Sequence, residues 1–302
     1  MIDFQKLDPA RRAEYDAFLI PCEKGCEYSF VNLSIWGRQR VAFVDGFLVL
    51  QSQFDRRSVY PFPVGKGDVL PVLEAIIQHA KKRGIPCCFT GLNRAECDLL
   101  EQHYPGKFRI QPDRNSFDYI YSIDDLADLK GRKFQKKRNH LNRFRDNHPN
   151  WRTEPISSEN LPAVREMAES WYAHRREIDP HGSYALERIA LDRALGNLDS
   201  LGLEGLVLLD GDQVLAFTLA SRLSEDTYDV HFEKAREDVD GAYTAINQQM
   251  AFHLREKHPE LRYLDREEDM GLEGLRKAKL SYNPVQLVEK YWARLWEEDD
   301  ED

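Results

Sequence analysis

Two stretches of the sequence indicate the fold and a candidate site. The first is Asp229-Val-His-Phe-Glu-Lys-Ala-Arg-Glu-Asp-Val-Asp-Gly-Ala-Tyr-Thr-Ala-Ile-Asn247. Its pattern predicts a strand, a turn that contains glycine, and the start of a helix. The second is Asp265-Arg-Glu-Glu-Asp-Met-Gly-Leu-Glu-Gly-Leu-Arg-Lys-Ala-Lys-Leu-Ser-Tyr-Asn-Pro284. Both place charged residues where partial burial is expected. Buried charge is costly unless it is paired or used, so we interpret these stretches as half of an active-site cleft.

The order of elements occurs twice along the chain. Asp45-Gly46 and Asp210-Gly211 each separate two apolar runs, which is a strong signal for a β-hairpin. Each hairpin is followed by a strand, an amphipathic helix, a short strand, a second helix and a final strand. We therefore predict an α/β protein of two tandem domains, residues 1–128 and 129–302, each a mixed and mainly antiparallel sheet covered by helices. The second domain is expected to carry the cleft.

This order of elements resembles the GCN5-related N-acetyltransferase (GNAT) fold. That resemblance implies that the phosphates of a cofactor lie at the N-terminus of the main helix, where unpaired N–H groups hold anions. The corresponding residues here are Gly241, Ala242 and Tyr243. The preceding Arg236-Glu-Asp-Val-Asp-Gly241 lacks the central glycine of the usual acetyl-CoA signature, which does not favour acetyl-CoA.

Composition limits the class of protein. The 302 residues carry a net charge of −10, and no apolar run is long enough to span a bilayer. The N-terminus has no basic start and no apolar core, so a secretory signal is not expected. Five cysteines predict reduced thiols and a cytoplasmic protein. Cys22 and Cys26 have no second Cys/His pair at a suitable spacing, so no metal site is expected.

One segment departs from this acidic balance. Residues 130–145 contain eight Lys and Arg residues and no acid, which suggests an anionic partner. Helical spacing places Lys137 and Arg138 within the apolar stripe of Phe134, Leu141 and Phe144. We expect these two cations to line a cleft and to bind the phosphates of a donor, either tRNA or coenzyme A. The alternative is that both side chains extend beside the stripe to water.

Strand alternation predicts that Asp229, His231 and Glu233 share one face of a central strand. Three ionisable groups on one face are suited to line a reaction cleft. Glu233 is the favoured general base for an attacking amine, with His231 as the second choice and Asp229 as a substrate contact. The alternative is a strand edge that faces solvent.

The second stretch predicts further contacts. Arg276 and Lys279 are three residues apart on a helix that ends before Pro284, and their face borders an apolar stripe. Two cations beside a tyrosine hydroxyl are suited to bind a donor phosphate or a developing oxyanion. The remaining candidates follow from these positions: Tyr282 as a catalytic residue, and Arg266, Glu267 and Asp269 as substrate contacts.

Three segments carry a resemblance to a known family: Gly131-Arg-Lys-Phe-Gln-Lys-Lys-Arg-Asn139, His231-Phe-Glu-Lys234 and Gly274-Leu-Arg-Lys-Ala-Lys-Leu-Ser-Tyr-Asn-Pro284. Together they resemble the C-terminal, catalytic domain of phosphatidylglycerol lysyltransferase, and most closely its stand-alone members. The resemblance implies two tandem acetyltransferase-like domains, as in the Fem-type aminoacyltransferases. It also implies transfer of an aminoacyl group from aminoacyl-tRNA, with Arg276 and Lys279 as cleft cations near the donor.

Three hypotheses for function follow from these observations. The first is transfer of an aminoacyl group from aminoacyl-tRNA to a small-molecule or peptide acceptor with an amine or hydroxyl group. The chain lacks the membrane-spanning region that accompanies the lipid-modifying members, so a lipid acceptor is not expected. The second is an acetyl-CoA-dependent N-acetyltransferase. The third is an inactive protein that binds RNA or a phosphorylated ligand. None of these hypotheses needs a tightly bound cofactor.

Overall fold

The structure is a computed structural model that describes residues 1–54, 57–173 and 183–296. By their internal contacts the residues form two compact units. The first comprises Met1–Asp118, Glu268–Glu273 and the C-terminal segment from Leu287, and the second comprises Tyr119–Glu267 and Gly274–Gln286.

The described strands, in chain order, are β1 (Gln5–Lys6), β2 (Arg38–Val44), β3 (Phe47–Phe54), β4 (Arg57–Pro61), β5 (Val64–Gly65), β6 (Cys88–Leu92), β7 (Phe108–Pro112), β8 (Asp118–Ser122), β9 (Trp151–Pro155), β10 (Glu204–Asp210), β11 (Gln213–Arg222), β12 (Thr227–Ala235), β13 (Tyr263–Asp265), β14 (Gln286–Val288) and β15 (Tyr291–Leu295). The described α-helices are α1 (Arg12–Leu19), α2 (Phe30–Ile35), α3 (Leu70–Arg83), α4 (Arg94–His103), α5 (Ile123–Asp128), α6 (Gln135–Asn147), α7 (Leu161–Ala173), α8 (Ser183–Leu195), α9 (Leu198–Leu201), α10 (Ala242–Lys257) and α11 (Glu273–Leu280).

The sheet of the first unit has the order β1-β2-β3-β4-β6-β15-β7, with β5 paired to β3. Neighbouring strands are antiparallel except β4 and β6, which are parallel. Helices α3 and α4 bury apolar residues against this sheet, and the fully buried members of the core include Val49, Tyr60, Val72, Leu73, Ile76, Phe89, Leu92 and Leu100. The two hairpins predicted from Asp-Gly are present. In the first, Val44 pairs with Phe47, so that Asp45 and Gly46 form the turn, both at positive φ.

The sheet of the second unit has the order β14-β8-β13-β12-β11-β10-β9. Its central hairpin, β10–β11, continues into β12, and helix α10 contacts all three of these strands. Ile246, Met250 and Leu254 of α10 are buried, as the helical spacing predicts. The pair β12–β13 is parallel while the other pairs with a described register are antiparallel, so the sheet is mixed and mainly antiparallel, as predicted.

The units differ from the predicted division into residues 1–128 and 129–302. Strand β15, near the C-terminus, lies between β6 and β7 in the first sheet. Strand β8, which the sequence assigned to the first domain, lies in the second sheet beside β13. A prediction made from consecutive segments cannot anticipate this exchange, because each strand satisfies its backbone hydrogen bonds with partners that are distant in sequence.

A buried ion pair accompanies β15 in the first unit. Lys290, which precedes the strand, places its Nζ 2.8 Å from Asp118 Oδ2 and 2.5 Å from Glu27 Oε2. Burial alone would lower the pKa of this lysine, but the Asp118 carboxylate holds the pKa well above its usual value. The Lys290 ammonium is therefore charged, and it fixes the C-terminal segment on the first unit.

Two further predictions concern the environment of the chain. None of the five cysteines forms a disulfide bond. None of the helices within the described parts of the chain combines the length and apolar character needed to cross a bilayer.

The hydrogen-bond network around Glu204 of β10 is expected to stabilise the second unit. Burial would raise the pKa of its carboxyl group, but hydrogen bonds from His253, His258 and Lys257 hold the pKa well below its usual value. We expect Glu204→Gln to lower the free energy of unfolding at pH 7 by about 1–3 kcal/mol, because it weakens a network of charged partners. Because the pKa of Glu204 is lower in the folded state than in the unfolded state, its ionised carboxylate stabilises the fold at any pH above the unfolded pKa, near 4.3. This stabilisation is lost as the pH falls below that value.

Urea denaturation of both proteins between pH 8 and pH 4 measures this difference. It should be constant at neutral pH and begin to narrow near pH 4. Glu256→Gln, at an exposed glutamate of α10, is the control and should change stability by less than about 0.5 kcal/mol. A Glu204→Gln protein as stable as the wild type at pH 7 would contradict the network.

Candidate active site

The parallel strands β12 and β13 separate after a short paired region. Their register pairs Thr227 with Tyr263 and ends where Asp229 pairs with Asp265, while β12 continues to Ala235. After Asp265 the chain turns away from the sheet as a loop. The residues of β12 beyond Asp229 therefore lie beside the loop residues Arg266 and Glu267, and this opening positions the site.

Glu233 is the centre of a buried polar cluster at this opening. Its Oε1 lies 2.8 Å from Arg266 Nη2, and its Oε2 accepts a hydrogen bond of 3.1 Å from Asn247 Nδ2 on α10. The side chains of Arg266 and Glu233 are only 13% and 9% exposed. Both carboxylate oxygens of Glu233 are thus engaged, which makes this group an anchor for Arg266.

The ring of Tyr282 contacts both cations of the site. Lys137 Nζ is 3.6 Å from the centroid of its ring, and Arg266 Cζ is 4.8 Å from the same centroid. Such contacts stabilise cations at the negative face of an aromatic ring. Burial raises the pKa of Tyr282 although Arg266 opposes this, so the hydroxyl stays protonated and donates to Thr244 Oγ1 at 3.4 Å. Tyr282 is therefore a neutral platform for two positive charges.

The environment of Lys137 brings the pKa of its ammonium group closer to neutral pH than that of an ordinary lysine. It lies half-buried on α6. Burial and the Arg266 cation lower its pKa to about 8, while Glu233 partly offsets this change. A lysine with this pKa is mostly protonated at pH 7 but has an accessible neutral form, so it is able to bind an anion and to accept a proton.

The ammonium group of Lys279 holds the loop after β13 in place. Its Nζ donates to the backbone carbonyls of Arg266 and, at 3.1 Å, of Glu267. Tyr121 in turn donates to the carbonyl oxygen of Lys279 at 2.8 Å. The side chain is buried. The sequence predicts Lys279 at a donor site, and in the structure its ammonium group binds the backbone of the loop that carries Arg266.

His231 belongs to a second cluster. Its Nε2 lies 2.8 Å from Ser221 Oγ, and its Nδ1 faces Glu267 and Asp229 at 3.3 and 3.4 Å. A register shift opposite His231, between Leu219 and Ala220 of β11, interrupts the regular alternation of β12. The bonds of Glu233 described above go to Asn247 and Arg266 instead, so the three residues predicted on one face take part in two arrangements.

Arg138 does not line the opening. Its guanidinium donates to the carbonyl oxygens of Leu129 and Gly131 at 2.5 and 2.7 Å, and to Gln135 Oε1 at 2.6 Å. These bonds close the turn that leads into α6. Helical spacing placed Arg138 beside Lys137, but it could not show that backbone carbonyls at the start of the helix compete for the guanidinium.

The N-terminus of α10 is packed by α6. Gly241 has φ +85°, and a Cβ atom added to it would lie 2.4 Å from the carbonyl oxygen of His140. Asp240 accepts from Arg143 at 2.7 Å and lies 3.0 Å from His140 Nδ1. Ala242 is fully buried. The glycine thus serves the close approach of two helices at the place where the resemblance implied a phosphate.

Three other candidate residues have the following surroundings. Tyr243 is partly exposed, and its hydroxyl accepts from Trp171 Nε1 at 3.1 Å. Asp269 belongs to the first unit, where it binds Arg114 Nη1 at 3.0 Å and the amide of Gly271 at 2.9 Å. Arg276 is half-buried on α11 in the second unit.

Several cations of the basic segment are paired with carboxylates or hydrogen-bonded within the protein. Lys130 pairs with Asp128, Lys133 with Asp125 and Arg143 with Asp240. Arg145 donates to Gln248, and Arg138 to the backbone. The segment is therefore expected to bind a polyanion more weakly than the count of its charges suggests. Lys137 is the residue that it contributes to the candidate site.

Similarity to known proteins shows the family of this chain. Residues 22–294 match the family model described as phosphatidylglycerol lysyltransferase, C-terminal. The chain belongs to this family. Membership confirms the resemblance carried by the three motifs and supports an aminoacyltransferase type of function.

Two solved structures match nearly the whole length of this chain. A conserved protein of unknown function from Bacteroides thetaiotaomicron is 38% identical with a TM-score of 0.91, and the match covers 98% of this chain and all of that one. L-PGS from Bacillus licheniformis is 16% identical with a TM-score of 0.69, over 97% of this chain and 93% of that one. The latter similarity shows the fold.

The tandem acetyltransferase-like architecture is confirmed as well. A tandem GNAT protein from the clavulanic acid biosynthesis pathway is 9% identical with a TM-score of 0.54, over 99% of this chain and the whole of that one. Among curated sequences, an uncharacterised protein of Mycoplasmoides gallisepticum is 28% identical over 185 residues, which are 60% of this chain. The match spans a little over half, 57%, of that relative's length.

Two uncharged residues of the cluster, Asn247 and Thr244, were not predicted from the sequence. Asn247 holds Glu233, and Thr244 accepts from Tyr282. Both lie on α10 three residues apart and are buried polar residues of a helix. Buried amides and hydroxyls require partners, and this spacing on the first turns of α10 was the signal that could have identified them.

The first prediction for the site concerns the charge of Lys137. Glu233→Gln should lower the pKa of Lys137 further, because it removes the carboxylate that favours the ammonium form. Arg266→Gln should raise this pKa, because it removes the cation that disfavours it. Reductive ¹³C-methylation followed by NMR titration measures both, with Lys137→Met to assign the signal. Glu256→Gln is the control and should leave the titration unchanged, and shifts in the same direction in both variants would contradict the arrangement.

The second prediction concerns Gly241. Gly241→Ala should lower the free energy of unfolding by about 2 kcal/mol or more, because alanine is disfavoured at positive φ and its Cβ meets the backbone of His140. Gly274→Ala on α11 is the matched control, since a Cβ at that position has no atom within 4 Å. It should leave stability unchanged or raise it by about 0.5–1 kcal/mol. Chemical denaturation measures both, and equal stability of Gly241→Ala and the wild type would contradict the packing.

Proposed function

We propose that this protein transfers an aminoacyl group from aminoacyl-tRNA to an acceptor that carries an amine or a hydroxyl group. Membership of the phosphatidylglycerol lysyltransferase C-terminal family supports this reaction class. The observation that carries the proposal is the cluster of Lys137, Tyr282, Arg266 and Glu233 at the opening between β12 and the loop after β13.

In this proposal the cluster supplies positive charge to the acyl group. Arg266 contributes a permanent cation whose charge Glu233 offsets. Lys137 becomes a second cation when it takes up the proton of the acceptor, and the cluster then carries a net positive charge. Negative charge develops on the carbonyl oxygen when a nucleophile attacks an ester, and a fixed cation at that position stabilises the transition state. Arg266 is held by Glu233, which prepares it for this role before the substrate binds.

Lys137, rather than Glu233, is proposed as the group that moves the proton. Both oxygens of Glu233 are engaged by Arg266 and Asn247, which makes them poor proton acceptors. The amine of Lys137 lies half-buried above Tyr282, and its pKa of about 8 makes the neutral form available. This assignment replaces the sequence-based expectation that Glu233 is the base.

The step is a direct aminolysis. The acceptor nitrogen attacks the carbonyl carbon of the aminoacyl ester, and a new C–N bond forms as the C–O bond to the terminal ribose breaks. The proton lost by the nitrogen passes to Lys137 and then to the leaving ribose oxygen. Transfer within one complex gains mainly from positioning, which is worth up to about 7–11 kcal/mol in favourable intramolecular cases.

Acetyl-CoA is less favoured as the donor. In the resemblance to acetyltransferases its phosphates would lie at the start of α10, but here α6 packs closely against Gly241, and Asp240 places a carboxylate beside it. A cytoplasmic location, inferred from the cysteines, agrees with either donor and is part of the proposal.

The test uses both donors with the same protein. Bulk tRNA is charged with ¹⁴C-labelled amino acids, and loss of tRNA-linked label is measured with spermidine, ethanolamine and free lysine as acceptors. Acetyl-CoA turnover is followed in parallel by release of the free thiol. We expect acceptor-dependent loss of label from tRNA and no release of thiol.

Lys137→Met should reduce this transfer at least tenfold, whereas Lys136→Met, at an exposed neighbouring lysine of the same helix, should not. The wild-type rate should rise with pH as Lys137 loses its proton near pH 8. Thiol release without transfer from tRNA would instead identify an acetyltransferase. Binding of uncharged RNA with a steep salt dependence and no turnover of either donor would identify a binding protein.

A further inference from the structure

The cluster around His231 has the composition of a metal site. Asp229, His231 and Glu267 each offer a ligand atom, and these atoms all lie within 4.8 Å of one another. The side chains of Asp229 and His231 are fully buried, and that of Glu267 is 17% exposed. Two carboxylates and one imidazole form a mixed oxygen and nitrogen donor set of the kind that binds divalent transition metals.

The distances between His231 and the two carboxylates are those expected for ligands of one metal ion. His231 Nδ1 is 3.4 Å from Asp229 Oδ2 and 3.3 Å from Glu267 Oε1. Two donor atoms bonded to the same tetrahedral zinc ion at about 2.1 Å lie about 3.4 Å apart. His231 Nδ1 is therefore spaced from each carboxylate oxygen as two ligands of one ion would be, and the ligand atoms of Asp229 and Glu267 lie within 4.8 Å of each other. Solvent at the partly exposed Glu267 would supply the fourth ligand.

The second nitrogen of His231 is held in the way that metal-binding histidines require. Nε2 lies 2.8 Å from Ser221 Oγ on the neighbouring strand β11. If Nε2 carries the proton and donates it to this hydroxyl, the lone pair of Nδ1 points at the two carboxylates. Hydrogen bonds of this type fix the tautomer and the ring orientation of histidine ligands.

Glu267 is held in place by its backbone. Its φ is +53°, a conformation that glutamate rarely adopts, and its amide donates to Asp265 Oδ1 at 2.7 Å. The carbonyl oxygen of the same residue accepts from Lys279 at 3.1 Å. These two backbone contacts orient the loop that presents the Glu267 carboxylate to His231.

We propose that Asp229, His231 and Glu267 bind one divalent transition-metal ion, with zinc as the best match to the donor set and the spacing. The ion links β12 to the loop after β13 and thereby positions Arg266, which precedes Glu267. Its role is structural support of the opening. The proposal goes beyond the transfer reaction and does not depend on the identity of the donor.

A second group of potential ligands does not support the same inference. Cys26, Glu27 and Asp118 of the first unit also lie within ligand distance of one another. There, however, the Lys290 ammonium lies 2.5 Å from Glu27 and 2.8 Å from Asp118, so a positive charge already occupies the centre.

The experiment measures metal content and metal binding in the full-length protein. Protein produced in medium supplemented with zinc is analysed by plasma mass spectrometry, and the chelator-treated protein is titrated with Zn²⁺, Mn²⁺ and Co²⁺. We expect one ion per chain, an increase in melting temperature on adding Zn²⁺, and a visible Co²⁺ absorption spectrum typical of a four-coordinate site. Binding of Mn²⁺ with an affinity similar to that of Zn²⁺ would support the site and favour a more oxygen-rich coordination.

Two variants of different severity remove ligands. Glu267→Gln changes a partly exposed residue whose backbone contacts are retained, and His231→Asn removes the central nitrogen. Each should weaken Zn²⁺ binding at least tenfold and abolish the Co²⁺ spectrum. His148→Asn is the matched control, because His148 pairs through Nδ1 with one carboxylate, Asp210 at 2.8 Å, and it should leave both readouts unchanged.

A protonated His231 that shares its Nδ1 proton between the two carboxylates is the competing explanation for the same distances. In that case the wild type would contain no stoichiometric metal, and Zn²⁺ would change neither its melting temperature nor its spectrum. Either this result or unaltered Zn²⁺ binding in the folded Glu267→Gln variant would overturn the proposal.

Discussion

The ion pair between Glu233 and Arg266 is the constraint on which the site depends. It joins the end of β12 to the first residue after β13, at the point where the two strands have separated. Burying two charges is expensive, and the cost is offset only when the geometry is good and the remaining hydrogen-bonding atoms are used. Asn247 engages the second oxygen of Glu233, and Tyr282 supports the guanidinium from its ring face.

This constraint also determines the properties of Lys137. The residue comes from a helix at the start of the second unit, and its amine lies against the ring that contacts Arg266. Loss of solvent and proximity to a fixed cation both favour the neutral amine. The same lysine on an exposed surface would be an ordinary cation. Its chemistry thus arises from the position of Arg266 and from burial together, and neither is visible in the local sequence of the helix.

The loop after β13 is held in one conformation by hydrogen bonds to its backbone. Lys279 binds the carbonyl oxygens of two successive residues, and Asp265 binds the amide of Glu267. The backbone therefore sets the directions of the Arg266 and Glu267 side chains before any ligand binds. One side chain is directed to Glu233 and the other to His231, so a single short loop serves both clusters. A change in its backbone would disturb both.

The sequence by itself determined the element order, the α/β class, the hairpins and the family, because periodicity and Asp-Gly turns act over a few residues. It also singled out Lys137, Glu233, Arg266 and Tyr282, which the fold brings into contact with one another. Only the tertiary structure decided their roles and the exchange of β8 and β15 between sheets. Arg138 and Lys279 have the same charge as Lys137, yet both are bonded to backbone carbonyls. Which cation meets a ligand depends on the acceptors that folding brings within reach, and these lie far away in the sequence.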